Sequence, residues 1–100
     1  MLNISKTIRD DDAVFALEGR LDTTTAQDLE HVLQKAMPRV SKLTLDFENL
    51  DYISSAGLRV LLSAQKTMSA KDGEMKLLHV NEAILDIFEV TGFSDILTIE

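Results

Sequence analysis

The sequence predicts an α/β fold: a mixed β-sheet with crossover helices, in the element order ββαβαβαβ. Three observations predict it. Two short strand patterns stand at the start, joined by the turn Asp10-Asp11-Asp12, as in a hairpin. Beyond them, helical and strand periodicities alternate to the end of the chain. Within that series, Lys76–Val80 carries Leu77, Leu78 and Val80 in a nearly continuous apolar run, the pattern of a strand buried on both faces.

Each element rests on its own residues. Leu2, Ile4 and Ile8 alternate with polar residues and mark an edge strand. Val14, Phe15 and Leu17 mark the second strand, over Ala13–Leu17, and Gly19-Arg20-Leu21-Asp22 leaves the hairpin. Thr23, Thr24 and Thr25 precede a helical pattern, with Thr24 and Gln27 at capping-box spacing. Leu29, Val32, Leu33 and Ala36 share one helical face, which Pro38 ends. Leu43, Leu45 and Phe47 alternate with Thr44 and Asp46 as a strand, and Asn49–Ile53 reads as a loop. A second helix runs from Ser54-Ser55-Ala56-Gly57 with Leu58, Leu61, Leu62 and Met68 inward, and Lys71-Asp72-Gly73 stops it. After the buried run, Asn81 is an N-cap, Ile84, Leu85 and Phe88 face inward, and Gly92 is a C-cap. Ile96, Leu97 and Ile99 make a last strand.

Bulk properties narrow the function. A length of 100 residues suits one domain, 1–100, with neither linker nor repeat. The absence of cysteine removes disulfides and thiol chemistry. A net charge of −7 opposes nucleic acid, whose phosphates need Lys and Arg, and opposes an anionic membrane surface. No apolar run reaches spanning length and the N-terminus has no apolar signal core, so a cytoplasmic location is expected. His31 and His79 have no metal-ligand spacing to each other; both read as structural, and no metal or cofactor is expected.

The chemically informative stretch is Leu50–Leu62, a loop feeding a helix N-terminus. Ser54 or Ser55 takes the N-cap, beside free backbone N–H groups and the positive end of the helix dipole. Gly57 leaves the first turn open to close approach, and a phosphate would be well held there. Spacing alone favours the plainer reading, a capping serine and a packing glycine, because Ser is a favoured N-cap everywhere.

This stretch, Leu50-Asp51-Tyr52-Ile53-Ser54-Ser55-Ala56-Gly57-Leu58-Arg59-Val60-Leu61, resembles the signature of the sulfate transporter and anti-sigma factor antagonist (STAS) domain family. Gly19-Arg20-Leu21-Asp22 with its adjoining threonines resembles the family's other marker, and Leu43-Thr44-Leu45-Asp46 its central strand. The resemblance spans essentially the whole chain and implies a STAS-like fold. It also implies the function of the stand-alone branch, which a chain beginning at Met1 without a membrane segment fits. That is an anti-sigma factor antagonist that binds an anti-sigma factor of the serine kinase type when dephosphorylated. Phosphorylation of a loop serine releases it, and a serine phosphatase restores it. The implied acceptor is Ser55. Asp22 falls on the family's acidic residue near it, and Asp22, Thr23, Thr24, Ser54, Ala56, Gly57 and Arg59 are the expected partner surface of a monomer. Two positions depart: Ser54 stands where many regulatory members have Asp, and Ala56 where many have Ser or Thr. Ser54 is therefore the second-choice acceptor.

Two other classes fit less well. A hydrolase elbow would need glycine on both sides of the serine, and only Gly57 is present. A receiver-like module would use Asp46 as acceptor; separately, within the resemblance, a phospho-regulated module could act on a non-sigma partner. A receiver, however, starts βα, and the Asp10–Asp12 cluster lies between two strands.

Overall fold

The period-two pattern of the second strand shows directly in its burial: Ala13, Phe15 and Leu17 are enclosed, while Ala16 and Glu18 between and beyond them are exposed. A computed structural model describes all 100 residues. Strand β1 (Leu2–Arg9) pairs antiparallel with β2 (Asp12–Leu21). Asp10, in the turn between them, takes a left-handed backbone (φ 53°) that Asp tolerates. Helix α1 (Ala26–Ala36) and a 3₁₀ turn over Met37–Arg39 lead to β3 (Lys42–Ile53), parallel to β2. Helix α2 (Ser55–Ala70) then crosses to β4 (Glu74–Leu78), parallel to β3. The sheet order is β1-β2-β3-β4, a mixed sheet, and α3 (Glu82–Thr91) comes after it. The α/β class, the opening hairpin and the three helices are those expected from the sequence.

The core is one cluster of 26 apolar residues. The inward set of β2 joins Leu43, Leu45 and Phe47 of β3, with Leu29 and Leu33 of α1, Leu61 and Met68 of α2, and Ile84 and Phe88 of α3. Phe47 and Phe88 meet in a tilted pair, centroids 6.4 Å apart. Val32, Leu62 and Leu85, expected inward, are only half-buried, whereas Val60 is enclosed. The ammonium of Lys71 donates to the carbonyls of Met37 and Val40 at 2.6 and 2.7 Å, satisfying the chain where Pro38 prevents helical continuation.

Three segments differ from the expectation, each for a physical reason. Gly19-Arg20-Leu21 and Asn49–Ile53 are strand rather than loop: Gly19 pairs Leu50, Arg20 pairs Tyr52 and Leu21 pairs Ile53. Register shifts between Ala16 and Glu18 and between Gly19 and Arg20 break the alternation. The buried residues of β3 then fall at Phe47, Leu50 and Ile53, a spacing of three that hides the strand. Gly19 is required at this irregularity: its φ is 108°, and a Cβ would stand 2.3 Å from the Met1 carbonyl oxygen. The expected last strand contracts to one bridge, Leu77 to Ile99. Gly92 turns left-handed (φ 81°) into a 3₁₀ turn over Phe93–Asp95, so Ile96 is exposed and Leu97 packs into the core before pairing starts.

Candidate functional site at the N-terminus of α2

Parallel strands β2 and β3 end side by side, with Leu21 opposite Ile53. Hydrogen bonds, rather than packing, fix the chain beyond each strand end. After β3, Ser54 stays extended (φ −96°, ψ 174°) and its amide donates to the Leu21 carbonyl at 2.8 Å. Its hydroxyl accepts from the Gly57 amide at 3.2 Å, and its carbonyl accepts the first helical bond, from Leu58, at 2.9 Å. Ser54 is thus the N-cap. Ser55 is the first residue of α2; it is exposed, and its hydroxyl is free of the chain's own hydrogen bonds. Ala56 is half-buried. Gly57 is buried against the strand ends, and a Cβ there would lie 2.7 Å from Leu21 Cγ and 2.9 Å from Ile53 Cγ1. The missing side chain lets α2 sit directly on the sheet's end.

After β2, Asp22 organises the turn into α1. Its Oδ1 accepts from the Thr24 and Thr25 amides, both at 3.0 Å, and from the Thr24 hydroxyl at 2.8 Å. The Thr25 hydroxyl accepts from the Asp22 amide at 2.9 Å and lies 2.9 Å from the Arg20 carbonyl. Thr24 and Gln27 do not form the expected capping box. Thr25 stands at the N-cap with no side-chain cap bond, and the Asp22 carbonyl accepts the Ala26 amide at 2.9 Å. Asp22 captures the Thr24 amide, which the box would have given to Gln27, from outside the helix, so the threonines serve the turn instead. The Thr24 hydroxyl, then the Thr25 amide, hold the Asp22 carboxyl at a pKa of about 2, against burial acting the other way. Asp22 is an anion, with the role of a lead-in to α1.

Between α1 and α2 lies a groove of about 270 Å³, lined by Thr23, Ala26, Gln27 and Glu30 on one side and Ala56, Arg59 and Val60 on the other. It gathers the expected partner residues Thr23, Ala56 and Arg59. Thr24 does not line it and is turned to Asp22 instead. Gln27 and Glu30 were not anticipated, although their spacing of three places them on one helical face. Arg20 and Tyr52 were also unforeseen. They are paired across β2 and β3, with the Arg20 guanidinium 4.1 Å from the Tyr52 ring centroid. Only the strand register, illegible through the bulge, could have placed them together.

The residues of the competing readings lie elsewhere. Asp46 accepts from the Glu48 amide at 3.0 Å and faces His79 Nδ1 at 2.9 Å. Burial raises the Asp46 carboxyl, but the His79 contact and the Glu48 amide outweigh it and hold the pKa low. The same contact raises the His79 imidazole. Asp11 ties the hairpin turn to Ser41 through that residue's hydroxyl and amide, which lower its pKa. The Asp10–Asp12 run is structural. His31 is exposed on α1. No helix is long and apolar enough to cross a membrane.

Comparison with known proteins gives a consistent result. The family model of the STAS domain matches residues 3–100. The anti-sigma-B factor antagonist of Staphylococcus aureus is 31% identical over 97 residues, covering 96% of this chain and 90% of that one. Among solved structures, the anti-sigma factor antagonist SpoIIAA in its unphosphorylated form superposes with a TM-score of 0.81 at 19% identity, covering 98% of this chain and 87% of that one. The Bacillus cell fate determinant SpoIIAA in the phosphorylated form gives 0.78 at 19% identity, covering 100% and 91%.

Proposed function

The chain belongs to the STAS domain family, and from that premise we propose that residues 1–100 act as one domain, an anti-sigma factor antagonist switched at Ser55. Dephosphorylated, it binds an anti-sigma factor of the serine kinase type; phosphorylated, it lets go; a serine phosphatase resets it. The observation that carries this reading is the division of labour at the start of α2. The Ser54 hydroxyl is engaged with Gly57, while the Ser55 hydroxyl is exposed and free. A kinase needs the free one. Ser54 therefore fills the place where relatives often have Asp with another capping side chain, and the acceptor stays one position on.

The physical consequence of modification is set by the position. A phosphoryl group adds about −1.5 to −2 charge. At the first helical residue it faces backbone amides without helical partners and the positive end of the dipole, so the domain tolerates it. The likeness of this fold to both forms of SpoIIAA supports a switch that leaves the fold in place. What changes is the surface. The groove beside Ser55 adjoins Asp22, already an anion, on a chain of net charge −7. New charge and bulk exclude a partner shaped to a neutral hydroxyl. Asp22, Thr23, Ala56, Gly57 and Arg59 frame that surface, with Asp22 and Gly57 holding its shape and Thr23, Ala56 and Arg59 lining the groove.

Neither alternative gains support. Neither histidine hydrogen-bonds Ser55, and His79 is paired with Asp46. A receiver-like acceptor at Asp46 would have to break that pair. The test is binding to the kinase-type anti-sigma factor recovered by pull-down from the native cell, with mass spectrometry of the bait to locate phosphate. Ser55→Ala should bind like the unmodified protein and Ser55→Asp at least tenfold more weakly. Equal binding by the two variants, or phosphate found only on Ser54, would sink the assignment.

A further inference from the structure

We propose that Asp46, Glu48 and His79 form a binding site for a divalent transition-metal ion of the Zn²⁺ class, apart from the α2 N-terminus. One ligand atom from each lies within 4.8 Å of the other two. The grouping is a product of the fold. Asp46 and Glu48 stand two apart on β3, and His79 arrives 33 residues later, just after β4, where Leu78 pairs Asp46. His79 takes a left-handed backbone (φ 57°) on leaving the strand, and its side chain comes to lie against Asp46.

Donor chemistry selects the ion. Two carboxylates alone would suit a hard cation, and exposed acidic pairs are common without one. The imidazole nitrogen, brought from beyond another strand, shifts the preference to borderline ions. Zinc binds imidazole nitrogen and carboxylate oxygen at about 2.0–2.2 Å, which in a tetrahedral site sets neighbouring donors roughly 3.3–3.6 Å apart. His79 Nδ1 and Asp46 Oδ1 are 2.9 Å apart, so they separate by only about half an ångström to admit the ion. Glu48 is exposed, and one of its carboxylate oxygens lies within 4.8 Å of both. The Glu48 amide, donating to Asp46 Oδ1 at 3.0 Å, steadies the first carboxylate as an outer hydrogen bond steadies a ligand. Bound there, the ion would replace the proton between His79 and Asp46 and offset the second carboxylate's charge. His79 and Glu48 are both exposed, so the site keeps coordination positions open to water.

The experiment is a calorimetric titration of chelator-treated protein with zinc chloride near neutral pH, tracked in parallel by NMR of the histidine ring protons. One-to-one binding is expected, with the His79 signals shifting and those of His31 unmoved. His79→Asn, which keeps a residue at ease with left-handed backbone, and Glu48→Gln should each weaken binding at least tenfold. His31→Ala should bind like the parent. Thermal denaturation with saturating zinc should raise the midpoint of the parent and not of His79→Asn. Absence of saturable binding means that His79 and Asp46 are an ion pair only, and overturns the proposal. Undiminished affinity in His79→Asn and Glu48→Gln, or loss of binding in His31→Ala, overturns it equally.

Discussion

Gly57→Ala is the sharpest probe of how α2 is seated. In an ordinary helix this change is stabilising, by about 0.8–1.0 kcal/mol in the interior and less in the first turn, where Gly57 lies. Here the new methyl carbon would stand 2.7 Å from Leu21 Cγ, 2.9 Å from Ile53 Cγ1 and 3.0 Å from Leu21 Cδ2. Carbon atoms are comfortable at about 3.5–4.0 Å, so something must move by roughly 0.5–1 Å. Leu21 is fully enclosed and Ile53 is 3% exposed, and both lie in paired strand ends, so neither yields freely. Overpacking of this kind costs about 1–3 kcal/mol, and subtracting roughly 0.5 for helix propensity leaves a net loss of about 0.5–2.5 kcal/mol. Urea unfolding should show a lower midpoint with an unchanged slope. Thermal unfolding should fall by about 4–8 °C per kcal/mol for a chain of this size. The displaced helix should also strain the Ser54 amide bond to Leu21, seen as a shift of the Ser54 amide resonance. A midpoint equal to or above the parent's would refute the reasoning and reduce Gly57 to a residue of poor helix propensity.

Three further outcomes rest on the same geometry. Ser54→Ala removes the N-cap and should cost about 0.5–1 kcal/mol, the lower part of the usual range because the bond is 3.2 Å long, whereas Ser55→Ala should stay within about 0.5 kcal/mol of the parent; urea unfolding decides, and the reverse order would move the cap to Ser55. Asp22, with its pKa lowered to about 2 against an unfolded value of about 3.9, contributes stability that is fully present above that unfolded value and is lost as pH falls through the folded one. Asp22→Asn should therefore flatten the acid limb of the stability profile between roughly pH 4 and 2, and carbon-detected NMR of Asp22 titrating near pH 4 would contradict it. Asn81 caps α3 by accepting from the Ile84 amide at 2.9 Å and donates to the Leu50 carbonyl at 3.0 Å. Asn81→Ala should cost about 1–2 kcal/mol and Asn81→Asp, which keeps the cap alone, less; equal losses would mean the Leu50 bond is the whole effect.

Regular elements were legible because their burial keeps a single period. Ala13, Phe15 and Leu17 alternate, Leu29, Leu33 and Ala36 recur at helical spacing, and Asn81 and Gly92 cap where such residues cap. The illegible parts are where two periods meet. Phe47, Leu50 and Ile53 recur at three because β2 and β3 slip register, and nothing local in Asn49–Ile53 announces a strand. The capping box failed for a related reason: Asp22, two residues ahead of Thr24, takes the Thr24 amide that Gln27 would have accepted and wins with a charged acceptor. At the site, the loop serines and Gly57 were visible as a pattern. Which serine caps and which is free follows from the extended backbone of Ser54, which two adjacent serines do not announce. Asp46, Glu48 and His79 were invisible as a group because their nearness exists only through the β3–β4 pairing.

The register slip also explains why this end of the sheet suits a reversible switch. Had β2 and β3 kept the register that pairs Ala16 with Asp46, Leu21 would lie opposite Asp51 rather than Ile53. With the slip, Leu21 and Ile53 stand side by side beneath Gly57, and the first turn of α2 is held by the Leu21 carbonyl, the Ser54 hydroxyl and the Gly57 contact, none of which involves Ser55. A charge added at Ser55 therefore breaks no bond that maintains the fold. Its field is screened over about 8 Å at physiological ionic strength, so it acts on the adjoining groove and Asp22 more than on the distant core. The affinity for a partner can then change by the full electrostatic and steric penalty while folding stability changes little. A switch at Ser54 could not separate the two, since modifying the cap would loosen the helix that presents it.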